Sequence, residues 1–449
     1  MKYRIEGASM EFSRNLYVQR LLERRKNGLI KIITGTRRAG KSYLMNTLFY
    51  RCLQNHGFSK EHIIRFAFDI DEDLDMLEAY APGEPVRIKD ENGNEKVNAK
   101  KFRAWINEIT NDNAEYILLL DEVQELDHFV NTLNGFLRHE NFDVYVSGSN
   151  SKFLSSDIAT EFRGRGSVVH VLPLSFREYC DGLGFTAEEA WKEYIVTGGI
   201  PLVAAMQTEE EKYSYLKSLC EETYLKDIIR HNKVRAAAKL GDTFNVLASS
   251  IGSPVNPKKI ADTFRSVTQS AIDPETVTAY LGYFEDAFLV SKAAKYNIKG
   301  RSYINSPFKV YFEDTGIRNA RLNFRQIEEP HLMENILYNE LRYRGYAVDV
   351  GEMDIREKTD RRDRNNKYIY EKKALEVDFI ASIGEKKIYL QSALVMTDAD
   401  KQIQEKKSLY YIDDSFRKIV VTKNGLKPSQ DEKGVITVDL YDFLQGWEI

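Results

Sequence analysis

Three shortages in this sequence each narrow the class of protein it encodes. It holds three cysteines, Cys52, Cys180 and Cys220, widely separated and odd in number. With no CxxC pair or Cys/His cluster, neither a disulfide framework nor a zinc site is supported, and a reducing compartment fits. No apolar run is long enough to span a bilayer. The opening MKYRIEGASMEFSRN lacks the apolar core of a signal peptide. The expected setting is cytoplasmic, without membrane contact. There is also no surplus of positive charge: 64 Lys and Arg face 68 Asp and Glu, a net −4. The chain as a whole therefore lacks the electrostatic footprint of a nucleic-acid protein. Repeats and low-complexity tracts are absent as well.

What the sequence does contain is ordered. At 449 residues it exceeds one ordinary hydrophobic core, so two or three domains are expected. Apolar strand-like runs at 29–34, 63–68, 116–120, 142–147 and 168–172 alternate with helical periodicity, the pattern of a parallel sheet with covering helices. Between the second and third runs, DENGN with short strands on either side predicts an inserted hairpin. Asn98 is placed to cap the helix that follows it over 99–109. Residues 186–235 are helical apart from Gly198-Gly199-Ile200-Pro201. The charged stretch DIREKTDRRDRNNK fits a solvated loop or the tip of a long hairpin.

One motif carries chemistry directly. Gly35-Thr36-Arg37-Arg38-Ala39-Gly40-Lys41-Ser42 fits G-x-x-x-x-G-K-[ST], placed directly after a strand and before a helix beginning at Tyr43. Glycines at 35 and 40 let the loop curl so that backbone N–H groups face phosphates, and the helix N-terminus adds its positive dipole end. Lys41 is then the cation for the β- and γ-phosphates, and the Ser42 hydroxyl a ligand for Mg²⁺. The run Ile117-Leu118-Leu119-Leu120 ends in Asp121-Glu122. In a P-loop fold this strand is expected beside the first, with Asp121 holding Mg²⁺ through a water and Glu122 polarising the attacking water. ATP with Mg²⁺ is the expected ligand.

Two further features each allow two roles. Ser149 and Asn150 follow the strand 142–147, as γ-phosphate sensors or as an ordinary helix cap. Arg163 and Arg165 are either a solvated pair or an arginine finger offered to a neighbouring subunit, which would require self-association.

ITGTRRAGKS, LLLDEVQ, VSGSNS, EFRGRG followed by LPLSFREY, and VTGGIP in this order resemble the AAA-type ATPases of bacteria and archaea that carry a C-terminal domain of unknown function. The resemblance runs along nearly the whole chain. It implies an α/β fold with a P-loop NTPase core, a helical lid and a winged-helix domain. It also implies that Pro201, after Gly199 and Ile200, packs on the adenine. The residues agree with a winged helix: helical patterns at 257–266 and 274–284, then a strand–turn–strand with Lys292, Lys295, Lys299 and Arg301 as the wing. Residues 225–325 hold 16 Lys and Arg against 9 Asp and Glu, enough for weak contact with DNA phosphates. Against major-groove reading, Asp273, Glu275, Glu285 and Asp286 make the second helix acidic. The last segment resembles the restriction-endonuclease-like fold, with Asp378 in the first acidic position but Gln391 and Ala393 where Glu and Lys would stand. That resemblance implies a degenerate nuclease site.

The expected division is an ATPase core over 1–175, a helical lid over 176–235, a winged-helix-like domain over 236–328 and a nuclease-like α/β domain over 329–449. Three function classes follow: a DNA-associated ATPase switch, a nucleotide-gated signalling or scaffold protein without DNA contact, and an ATP-dependent nuclease.

Overall fold

The structure is a computed structural model that describes residues 3–5, 8–91, 93–148, 162, 164–267, 271–362, 366, 368–396, 398–425 and 427–449. It divides into two units: Met1–Pro173 with Asp286–Phe288, and Leu174–Glu285 with Leu289–Ile449.

The first unit opens with a small hairpin, β1 (Tyr3–Ile5) and β2 (Ala8–Met10). Its core is a five-stranded parallel sheet of β3 (Ile30–Thr34), β4 (Ile63–Ala67), β7 (Tyr116–Asp121), β8 (Phe142–Ser147) and β9 (Gly166–His170). The apolar runs become strands because both faces of β3 and β7 are buried under helices. Between β4 and β7 the chain forms the two-stranded hairpin β5 (Arg87–Lys89) and β6 (Glu95–Val97). The helix Ala99–Ile109 follows at once, started by the Asn98 side chain accepting from the Lys100 N–H. It presses Phe102 and Trp105 onto Phe66 and Phe68, with ring centroids 4.8–5.1 Å apart for Phe66 with Phe68, Phe102 and Trp105.

Strand order in this sheet is β4-β7-β8-β3-β9. The acidic strand β7 therefore does not lie beside β3, as the sequence led us to expect. The chain leaves β3, crosses to the far edge at β4, and returns inward through β7 and then β8, so that β8 separates them.

The second unit begins with helices set by local chemistry. Phe176–Leu183 and Ala187–Thr197 each open with a reciprocal capping box, Ser175 with Glu178 and Thr186 with Glu189. Helices Pro257–Val267 and Pro274–Asp286 fall between the first and second strands of a mixed nine-stranded sheet. Its strands are β10 (Pro254–Val255), β11 (Val290–Asn297), β12 (Ser302–Phe312), β13 (Ala347–Arg362), β14 (Tyr368–Ile383), β15 (Lys386–Ala393), β16 (Arg417–Thr422), β17 (Ser429–Gln430) and β18 (Val435–Asp439). Their order is β10-β12-β11-β13-β14-β15-β16-β18-β17. The hairpin β11–β12 thus joins the later strands in one sheet, through the parallel pairing of Lys295–Asn297 with Val350–Glu352. The helix Glu329–Tyr343 buries Leu332, Met333, Ile336, Leu337 and Leu341. Of the charged stretch, residues 354–362 form the outer part of β13, which pairs with β14; each strand is 16 residues long. No helix among the described residues is long and apolar enough to cross a membrane.

Candidate nucleotide site

The loop 35–42 leaves β3 under tight backbone constraint. Gly35 has φ of 136°, and a Cβ there would lie 2.1 Å from the Val171 carbonyl oxygen, so no other residue fits. Gly40, also left-handed at 91°, turns the chain into the helix that starts at Lys41. Thr36 and Ala39 are buried, Arg37 is half-buried and Arg38 is exposed. The Lys41 side chain is buried and folded back over the loop, its Nζ donating to the carbonyls of Gly35 at 2.8 Å and Thr36 at 2.9 Å. Tyr43 points elsewhere, its hydroxyl donating to Glu11 at 2.5 Å, and burial pushes its phenol up to about 12.

Asp121 ends β7 with its carboxyl buried. It accepts hydrogen bonds from the Ser147 hydroxyl and from the Asn46 amide at 3.1 Å. Burial pushes its titration up, while Ser147 and Ser42 pull it down. Two elements converge on this one carboxyl: Ser147 from the end of the intervening strand β8, and Asn46 from a widened turn over Leu44–Phe49. Asn46 was not singled out from the sequence; its position one helical turn beyond Ser42 is the signal that would have found it. Asp69, just after β4, is a second such residue. It reaches solvent, but burial and the charges of Glu122 and Asp121 still push its carboxyl up.

Glu122 sits next to Asp121 in a left-handed conformation, φ 52°, which a non-glycine residue adopts at a cost. Its carboxylate accepts a hydrogen bond from the Gln124 side chain. Beside it, a polar cavity of about 420 Å³ is lined by residues including Lys89, Lys96, Gln124, Asp127 and His128.

The other predicted residues are not brought to this point. Ser149, Asn150 and Arg163 lie outside the described residues. Arg165 is exposed at the start of β9, where its carbonyl accepts from the Ile30 N–H at 2.9 Å. Gly35 leaves the opposite rim of the sheet, five residues along β3, or roughly 16 Å. Pro201 belongs to the second unit, where it is buried and opens the short helix Pro201–Ala204.

The residues present fit Mg²⁺ and a triphosphate. The acceptors Asn46 Oδ1 and Gln124 Oε1 are enclosed without a hydrogen-bond partner. Ser42 and Asp121 supply a hydroxyl and a carboxylate, oxygen donors of the kind a hard cation takes.

Residues 27–180 match the family described as AAA domain, and residues 188–328 match a domain of unknown function, DUF8612. The first segment is accordingly of the AAA type, and the second is a domain of unknown function. An uncharacterized protein of Haemophilus influenzae is 29% identical over 439 residues, which covers 96% of this chain and 98% of that protein. Another, from Methanocaldococcus jannaschii, is 26% identical over 427 residues, covering 87% and 84%. Among solved structures, the Aeropyrum pernix ORC2 protein aligns at 13% identity and a TM-score of 0.33, covering 62% of this chain and 85% of that one. That likeness is too loose to carry an argument.

Proposed function

We propose that this protein binds ATP with Mg²⁺ on residues 35–42, hydrolyses it, and uses the cycle as a switch. The observation that carries the reading is the hydrogen bond from Asn46, on the helix that continues the loop, to the buried Asp121 at 3.1 Å, which supports reading the loop and the acidic strand end as one site. Backbone N–H groups of the loop and the Lys41 ammonium would hold the phosphates. Ser42 and Asp121 would hold Mg²⁺, which when bound offsets charge on the β- and γ-phosphates. Glu122 would orient the attacking water, with Asn46 and Ser147 positioning Asp121. Ser149, Asn150 and Arg163 keep their proposed roles as sensor and finger residues. Arg165, remote from the loop of its own unit, fits a finger only in trans. Pro201 on the adenine, the four-part domain division and a cytoplasmic setting belong to the same proposal.

A DNA-associated switch is favoured over a scaffold by the exposed Lys299 and Arg301 at the β11–β12 turn, with exposed Lys292 near the other end of β11. Lys295 does not contribute to that surface. It is buried and paired with Glu352 at 2.8 Å and Glu376 at 3.0 Å.

The test is hydrolysis by the purified chain with and without Mg²⁺, beside Lys41→Ala and Glu122→Gln. Lys41→Ala is expected to lose nucleotide binding. Glu122→Gln is expected to keep it while turnover drops about a hundredfold or more. Hydrolysis in Glu122→Gln equal to the native rate removes that residue from the role.

A further inference from the structure

Beyond Met353 on β13 and Leu375 on β14, the two strands pair only with each other. The pairing of β11 with β13 stops at Glu352, and that of β14 with β15 stops at Phe379. The result is a two-stranded ribbon whose faces differ. On one, Met353, Ile355 and Leu375 pack into the core with Leu409 and Ile412, and Glu357 is held by Lys407 at 2.5 Å. On the other, Arg356 stands opposite Lys372 and Lys358 opposite Tyr370, with all four exposed. Among the side chains described on this open face, Asp354 is an acid, 2.7 Å from Lys372.

Aromatic rings are kept in water here. Tyr370 is 60% exposed and Tyr368 40%. The Tyr368 ring is held between two cations, Lys358 Nζ at 3.4 Å and Arg362 Cζ at 4.3 Å from its centroid, and Arg362 also donates to its hydroxyl at 2.8 Å. Exposed apolar rings on a ribbon edge carry an aggregation cost that a charged strip without them would avoid.

We infer that this open face binds single-stranded nucleic acid. Arg356, Lys358 and Lys372 would meet phosphates and Tyr370 would stack a base, with Tyr368 and Arg362 continuing the strip at the tip. Cations match a charged backbone, and an exposed ring such as Tyr370 matches bases, because every base presents a π face. An acidic protein segment would use the cations but not the rings. The residues of this face are other than those of the phosphate loop and of the β11–β12 turn, so the inference stands or fails independently of ATP hydrolysis.

The experiment measures binding of a labelled 30-nucleotide oligothymidine, and of a 30-base-pair duplex, to the full-length chain at two salt concentrations by fluorescence anisotropy. Arg356→Glu/Lys358→Glu is expected to lose at least tenfold in affinity and to lower the salt slope by about 1.4, at about 0.7 for each phosphate left without its cation. Tyr370→Ala is expected to lose between about fivefold and a hundredfold on the single strand. Both variants should keep the native melting curve and basal hydrolysis, which shows that they fold. Single-strand affinity unchanged in both variants overturns the inference, whatever else the ribbon holds. Loss confined to Lys292→Glu/Lys299→Glu overturns it as well, as does duplex bound as tightly as single strand with no effect of Tyr370→Ala.

Discussion

The Gln124 side chain donates to the Glu122 carboxylate, and the Gln124 backbone carbonyl accepts from Lys96 Nζ at 2.9 Å. The proposed water-orienting carboxylate is thereby tied to the inserted hairpin. Lys96 also pairs with Glu125 at 3.1 Å, and Val97 bridges to Leu126. In this arrangement Glu122 is turned into the Val123–Glu125 turn rather than free for water. Gln124→Ala is therefore expected to raise basal hydrolysis about threefold to tenfold, the scale of one ordinary net hydrogen bond, with nucleotide affinity unchanged. Steady-state kinetics check this; a lower rate would mean that the bonded orientation is the working one.

Gly198, Gly199 and Gly316 lock around Asp314 in the second unit. The Gly199 N–H donates to the Asp314 carboxylate at 2.8 Å and the Ile317 N–H at 3.0 Å. A Cβ on Gly198, where φ is 72°, would lie 2.3 Å from Asp314 Oδ1, and one on Gly316 would lie 2.1 Å from the Thr197 carbonyl oxygen. Gly198→Ala should thus cost more than about 3 kcal/mol, through strain and loss of a buried hydrogen-bonded carboxylate. Gly384→Ala, with positive φ but open space around it, should cost about 1 kcal/mol. Denaturant midpoints compare the two; equal losses would refute the packing account.

Burial pushes Asp314 up to about 6, against the backbone N–H groups of Gly199, Ile317 and Gly316. Its folded value then lies above the unfolded one, so the folded state holds the proton more tightly. Stability from this group is full below the unfolded value near pH 4 and is lost as pH rises through about 6. Between pH 5 and 7 the loss is about 1 kcal/mol. Asp314→Asn should flatten the melting temperature over that interval relative to the native chain, and an identical slope in both would exclude Asp314 as its source.

The elements legible in the sequence were those fixed locally. Fully buried runs announce β3 and β7, Asn98 announces its helix, and Asn-Gly announces the β5–β6 turn. Strand order was not legible, because the placement of β8 between β3 and β7 depends on crossovers rather than on any local pattern. The phosphate loop was visible because its spacing is rigid, whereas Gln124 carries no such spacing and is recruited by tertiary geometry. Lys295 reads as part of a solvent-facing wing, and Lys309 was not singled out. They are buried because β11 and β12 extend into the larger sheet, where carboxylates from β13, β14 and the helix Glu329–Tyr343 meet them.

That meeting bears on the nuclease-like resemblance. Lys309 Nζ lies 2.9 Å from Glu334, 2.7 Å from Glu376 and 3.9 Å from Asp378, and Tyr311 donates to Glu334 at 2.6 Å. Asp378 accepts from the Ser392 N–H at 2.8 Å, and its own N–H donates to Gln391 Oε1 at 3.4 Å. Burial, then the Glu334 charge, push the Asp378 carboxyl far up, while its acidic neighbours hold the Lys309 ammonium up. The charge these carboxylates offer is thus already met by a fixed internal cation, and a divalent ion would have to displace it. We expect no cleavage of linear or supercoiled DNA with Mg²⁺ or Mn²⁺, with or without ATP. Lys309→Met should leave buried carboxylates uncompensated and destabilise the second unit by about 3 to 5 kcal/mol. Adding Asp378→Asn to Lys309→Met should restore part of that loss by removing one of the acids. Gel assays and urea melts decide between the readings: metal-dependent cutting that disappears in Asp378→Ala would make the cluster a working site rather than a neutralised one.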